Sequence, residues 1–154
     1  MDFAPERGTD VVYVDTSVLV PLFLHEPHSA AAADWYAREK AELVAAAWCI
    51  PEFASALGIK QRAGAIDARQ AQGAWARFER MTAADLRLLP VEPGNFHRAA
   101  ELVLEASSAL RAGDALHLAC AEAAGVKQMA TLDDVLSRNA QRLKIKPVML
   151  RRTL

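Results

Sequence analysis

The chain has 154 residues, 53% of them hydrophobic and 24% charged, with a formal net charge of -1. That length fits one domain able to bury its own core, and the composition excludes the disordered and fibrous classes. The near-neutral charge excludes a chain-wide basic field, so a nucleic-acid partner must be met by a local basic patch or by bound metal.

Residues 1–10 are polar and read as a loose extension on a single domain spanning 1–154. MDFAPERGTD holds no basic segment followed by an apolar run, so no secretory signal is expected. Charges or prolines interrupt every apolar stretch before the roughly 20 residues of a membrane span. A cytoplasmic protein without a membrane partner is the expectation. Cys49 and Cys120 lie in apolar stretches without CxxC spacing, which disfavours zinc; two buried thiols is the plain reading, with a single disulfide left open.

Val11-Val12-Tyr13-Val14 reads as a strand buried on both faces. It stops at the polar corner Asp15-Thr16-Ser17, which can cap a helix from Val18 to about Leu24. Ser29 can cap a second helix, to about Lys40. Leu43 to Ala46 is a weak second strand, because Ala is a poor strand former. Pro51 suits a first helical turn, and Glu52 to about Arg62 follows as a helix ended by Gly64. Asp67 caps a long helix bearing Trp75, Phe78 and Met81. Leu86 to Val91 is a third strand, Pro93 to about Leu110 a helix, and Asp114 to Ala124 another, stopped by Gly125. Met129 to Thr131 is a fourth strand, Asp133 to about Leu143 a helix, and Pro147 to Leu150 an edge strand. Strands alternating with helices point to an α/β fold, a parallel sheet with helices on both faces. Ligand sites in such sheets collect at the carboxyl ends of the strands.

Four acids fall at such places: Asp15, Glu52, Asp114 and Asp133. Singly, each is an ordinary helix-start residue, since a carboxylate there accepts backbone N–H groups and suits the helix dipole. Jointly they say more. Unpaired carboxylates brought within about 4–6 Å repel and raise one another's pKa. Such clusters suit a hard divalent cation, which accepts a few carboxylates, keeps waters and shares phosphate.

The run VVYVDTSVLVPLF resembles the first strand and acidic corner of PIN-domain nucleases. PEFASAL is similar to their second acidic motif, RAGDALHLACAEAAG to the third and MATLDDVLSRNA to the fourth, in the same order. Single-domain members of this size are typically VapC-type toxins. The resemblance implies a three-layer α/β/α sandwich around a parallel sheet and an endoribonuclease using Mg²⁺ or Mn²⁺. It also implies a homodimer and a cognate VapB-type antitoxin, bound as a heterotetramer or larger assembly. Carried over, Asp15, Glu52, Asp114 and Asp133 become the catalytic and metal-binding acids. Thr16 and Ser17 would orient Asp15 or water in the metal's shell, and Thr131 would buttress Asp133. Asp134 ranks as a solvated neighbour. Two departures stand out: Pro51 where many relatives are polar, and the long segment before the first strand.

Lys60, Arg62 and Arg111 are candidates for RNA phosphate, each set against an exposed helix charge. His117, one turn after Asp114, is read as a packed or surface histidine, with approach to the acidic cleft as the alternative. A haloacid-dehalogenase-type phosphatase needs a second Asp two positions after the first, where Ser17 stands. A receiver domain needs an Asp ending a middle strand, and LLPV has none. A catalytically silent PIN-like RNA-binding or scaffold protein is the remaining rival.

Overall fold

Val11–Val14 (β1) alternates its side chains between two cores, as a central strand must. Val12 and Val14 face one apolar cluster and Tyr13 the other. The structure is a computed structural model that describes residues 10–148 and 150. The loose extension expected at 1–10 therefore lies outside the described residues, except for Asp10. After β1 come α1 (Thr16–Phe23), α2 (Ser29–Arg38), β2 (Glu42–Ala46), α3 (Cys49–Arg62), α4 (Ala68–Ala84) and β3 (Leu86–Leu89). The chain continues through α5 (Pro93–Leu104), a 3₁₀ turn (Ala106–Ser108), α6 (Ala112–Ala123), β4 (Gln128–Ala130), α7 (Asp134–Arg142) and β5 (Lys146–Val148).

The strands form one parallel sheet in the order β3-β2-β1-β4-β5, with Tyr13 in register with Val44 of β2 and Met129 of β4. One core gathers Val12, Val14 and Leu43 with residues of α1 to α4; Phe53 and Phe78 stack there at 4.2 Å between ring centroids. The other gathers Tyr13, Val44 and Met129 with α5, α6 and α7. This is the expected α/β/α sandwich. Cys49 and Cys120 are buried in separate cores as free thiols. No helix among the described residues is long and apolar enough to cross a membrane.

Strand β2 and the end of α5 depart from expectation for physical reasons. β2 is well formed despite its alanines, because both of its faces are covered and packing overrides propensity. Helix α5 stops at Leu104, short of Leu110. Ser108 Oγ donates to the Leu102 carbonyl at 2.9 Å and accepts the Leu110 N–H at 3.2 Å, so a side chain takes over where the helix ladder ends. Ala109, at φ 55, then turns the chain toward α6.

The sheet sets the place of chemistry. The chain fills one side of β1 with β2 and β3, then returns to the other side with β4, so the strand order reverses between β1 and β4. A crevice opens at the carboxyl ends of strands at such a reversal. Asp15 follows β1 there, and its N–H donates to the Ala130 carbonyl of β4 at 2.9 Å.

Candidate active site

Asp15 holds the N-cap position of α1, with extended backbone at φ -78 and ψ 151, but its side chain makes no capping bond. It is nearly buried, at 3% exposure. Two hydroxyls instead claim one carboxylate oxygen: Ser17 Oγ donates to Oδ2 at 2.6 Å, and Thr131 Oγ1 donates to the same atom at 3.0 Å. The hydroxyls are themselves fixed. Ser17 Oγ accepts the Leu132 N–H at 2.9 Å, and Thr131 Oγ1 accepts the Asp133 N–H at 3.1 Å. Oδ1 is left outside this lattice, 3.7 Å from His117 Nε2.

Glu52, in the first turn of α3, is held by other partners. Thr16 Oγ1 donates to its Oε1 at 2.7 Å, and His117 Nε2 bonds the same oxygen. Burial alone would raise the Glu52 pKa; the bonds and charge of His117, with help from Thr16, reverse this and hold the carboxyl below its ordinary range. The Trp48 indole N–H also favours the carboxylate, although the buried Nε1 completes no hydrogen bond of its own.

Asp114 enters from the first turn of α6. It makes no hydrogen bond or ion pair with any described residue. Burial, then the neighbouring carboxylates of Asp15, Asp133 and Glu52, push its carboxyl up to about 6, with His117 pulling the other way. Asp15, Asp133 and Glu52 are each near enough to Asp114 to act on its charge. Asp133 keeps an ordinary duty as well, its Oδ1 accepting the Leu136 N–H at 2.8 Å as the N-cap of α7. Asp134 is exposed.

His117 is fully buried. Burial lowers its pKa, but the bond from Glu52 and the carboxylates of Asp15, Glu52 and Asp114 outweigh it and raise the value. Its Nδ1 lies 2.7 Å from Tyr13 Oη, which accepts the Ala46 N–H of β2 at 3.1 Å.

Among the described residues, no three His, Cys, Asp or Glu side chains are grouped so that they could together hold a metal ion. Mg²⁺ seldom needs such a group, because one or two carboxylates, water and substrate phosphate complete its shell. Carboxylate oxygens, one of them on the half-buried Asp114 that has no hydrogen bond or ion pair among the described residues, are donors of the kind such an ion takes.

Residues 12–141 match the family described as PIN domain. The chain belongs to that family. No curated protein sequence matches this PIN domain. Among solved structures it is similar to Mycobacterium tuberculosis VapC20, a sarcin-ricin loop cleaving toxin, with TM-score 0.68 and 19% identity over 83% of this chain and 94% of that one. FitAB bound to an IR36 DNA fragment matches with TM-score 0.64 and 15% identity, covering 89% of this chain and 93% of that chain. VapBC2 from Rickettsia felis, bound to a DNA fragment from its promoter, matches with TM-score 0.61 and 10% identity over 90% and 97%. At these identities the likeness is one of fold.

The cations of this PIN domain are arranged less simply than its acids. Lys60 pairs with Glu26 at 2.7 Å, so its ammonium is already engaged. Arg62 and Arg111 are exposed, Arg111 as the N-cap of α6 just before Asp114. Thr16 was expected beside Asp15 and instead bonds Glu52, whereas Thr131 serves both Asp15 and Asp133. The residue undervalued from sequence is His117. Its packed reading describes its burial but not its bond to Glu52. Two signals pointed there: the i, i+3 spacing from Asp114, and a tyrosine in a buried strand, whose hydroxyl needs a partner.

Proposed function

We propose that this protein is a divalent-metal-dependent endoribonuclease acting as the toxin of a VapBC-type pair. The observation that carries the reading is Asp114, a half-buried carboxyl with no hydrogen bond or ion pair among the described residues, whose pKa is raised by burial and by the nearby carboxylates of Asp15, Asp133 and Glu52. Natural folds rarely leave such a group uncompensated, and a cation is the missing compensation. Bound Mg²⁺ or Mn²⁺ would supply Lewis-acid activation of water and neutralise charge building on the phosphodiester.

The chain's own residues do the positioning. Ser17 and Thr131 hold Oδ2 of Asp15 and leave Oδ1 free for the cleft. Thr16 and His117 do the same for Glu52 through Oε1. Asp114 and Asp133 complete the acidic rim from the starts of α6 and α7, and the exposed Arg62 and Arg111 are the cations that would meet RNA phosphate. Single-stranded loops are the substrate class that a protein reads most readily. The VapC20 neighbour is described as a sarcin-ricin loop cleaving toxin, and VapBC2 and FitAB are captured on DNA. The VapBC2 and FitAB neighbours support a VapB-type antitoxin as the partner, and a homodimer is the assembly we propose for the toxin itself.

The test is incubation of total RNA with purified protein, with and without EDTA, followed by mapping of new 5′ ends. Discrete cuts that disappear with EDTA and in Asp15→Asn are expected. Cleavage at the wild-type rate by Asp15→Asn would end the proposal, and RNA binding without any cleavage would favour the silent scaffold.

A further inference from the structure

Glu52 raises a question that its membership of the acidic rim does not answer: which of its oxygens is available. Oε1 already receives two donors, Thr16 Oγ1 at 2.7 Å and His117 Nε2. Oε2 points toward the start of α6. A Cβ on Gly113, the residue before Asp114, would lie 3.1 Å from Oε2 and 3.3 Å from Trp48 Nε1. Glycine at 113 therefore leaves open the space that Oε2 occupies. The two oxygens are divided, Oε1 held by Thr16 and His117 and Oε2 lying against the start of α6 beside the Trp48 indole.

The anchor can be followed back to the sheet. Nε2 of His117 faces two oxygen atoms, Glu52 Oε1 and Thr16 Oγ1 at 3.2 Å, so it carries a hydrogen whatever the state of the other ring nitrogen. That other nitrogen, Nδ1, is pinned by Tyr13 Oη, which in turn is pinned by the Ala46 backbone N–H. The imidazole also stands nearly perpendicular to the Tyr13 ring, at 74° with centroids 5.7 Å apart. Ala46, Tyr13 and His117 are fully buried and Glu52 is half-buried, and each link joins a different element: β2, β1, α6, α3.

We propose that His117 is the positioning residue of Glu52, part of a Tyr13–His117 strut that fixes Oε1 and so makes Glu52 a one-oxygen contributor to the cleft. The inference rests on the nuclease reading for its functional consequence, but its geometry does not. Partners that orient a metal-binding side chain typically change affinity by about 10–100-fold when removed. His117 touches no substrate in this account; it acts only through Glu52.

Two measurements test the strut on the full chain. In metal-free, ¹⁵N-labelled protein, the His117 Nε2–H should give a slowly exchanging, low-field resonance that Glu52→Ala removes. By calorimetry, His117→Leu should weaken Mn²⁺ binding about tenfold or more, while His117→Gln, whose amide nitrogen is as many bonds from Cβ as Nε2, should keep most of the affinity. Circular dichroism establishes that each variant is folded. A folded His117→Leu that binds Mn²⁺ like the wild type overturns the proposal, as does a resonance unaffected by Glu52→Ala. If His117→Leu does not fold, Tyr13→Phe takes its place: loss of the slow exchange and weaker Mn²⁺ binding support the strut, and no change in either overturns it. A wild type that binds no Mn²⁺ would instead sink the nuclease reading, and the resonance alone would then decide whether Glu52 is clamped.

Discussion

Thr131 donates its hydroxyl hydrogen to Asp15 Oδ2 at 3.0 Å although 116 positions separate the two residues in the chain. The same hydroxyl accepts the Asp133 N–H at 3.1 Å, so one side chain ties the first acid of the site to the fourth. Thr131→Val keeps the volume and removes both bonds, leaving a nearly buried carboxylate and a backbone N–H short of a partner. A loss of about 1–3 kcal/mol in urea unfolding is expected. Cleavage should fall by about tenfold or more, as for other outer partners of a metal site, and the two losses can be read on one preparation.

Asp114 gives a pH dependence with a definite sign. Its carboxyl is pushed from 3.8 up to about 6 in the folded protein. The native state therefore binds its proton more tightly than the unfolded chain, which stabilises the fold at low pH. Metal-free protein should lose that contribution as pH rises from about 4 to about 6. Asp114→Asn should flatten this part of the stability curve. Metal binding runs the other way, because the ion needs the ionised carboxylate: Mn²⁺ affinity should climb through pH 6 in the wild type. Titration calorimetry at several pH values, with unfolding curves in EDTA, checks both slopes.

Gly113→Ala separates stability from function. In a helix the change is favourable by up to about 1 kcal/mol, but the added methyl meets Glu52 Oε2 at 3.1 Å and Trp48 Nε1 at 3.3 Å. Glu52 is held at its other oxygen and has little room to yield. The expected variant is as stable as the wild type and cleaves RNA at least about tenfold more slowly. Equal cleavage would show that Oε2 has no fixed task.

Phe53 is fully buried between α1 and α4, stacked on Phe78 and edge-on to Phe23. It shares α3 with Glu52, one residue away. Phe53→Ala should cost about 3–5 kcal/mol. Thermal unfolding measures this directly, and activity at a temperature well below the new midpoint should drop too, because the helix that presents Glu52 loses its seat.

The sequence read well where physics is local. The β-branched run of β1 and the carboxylates at helix starts mark themselves by side-chain type, and the PIN-domain match over residues 12–141 spans them all. Contacts across the chain were harder. Nothing near Thr16 indicates that its hydroxyl turns to Glu52, because that choice depends on how α1 and α3 meet over the sheet. The engagement of Lys60 by Glu26 is equally invisible, since the two residues lie on separate elements. Helix α5 was overestimated because its apolar spacing continues past Leu104, while the Ser108 side chain that ends it acts through hydrogen bonds rather than periodicity.

Anomalous diffraction from crystals soaked in Mn²⁺ tests the shared cation most directly. A peak coordinated by Asp15 and Asp114 at about 2.1 Å is predicted, lost in Asp114→Asn crystals. Ordered crystals soaked at millimolar Mn²⁺ with no peak near these carboxylates, or with one bound only elsewhere on the surface, would contradict it.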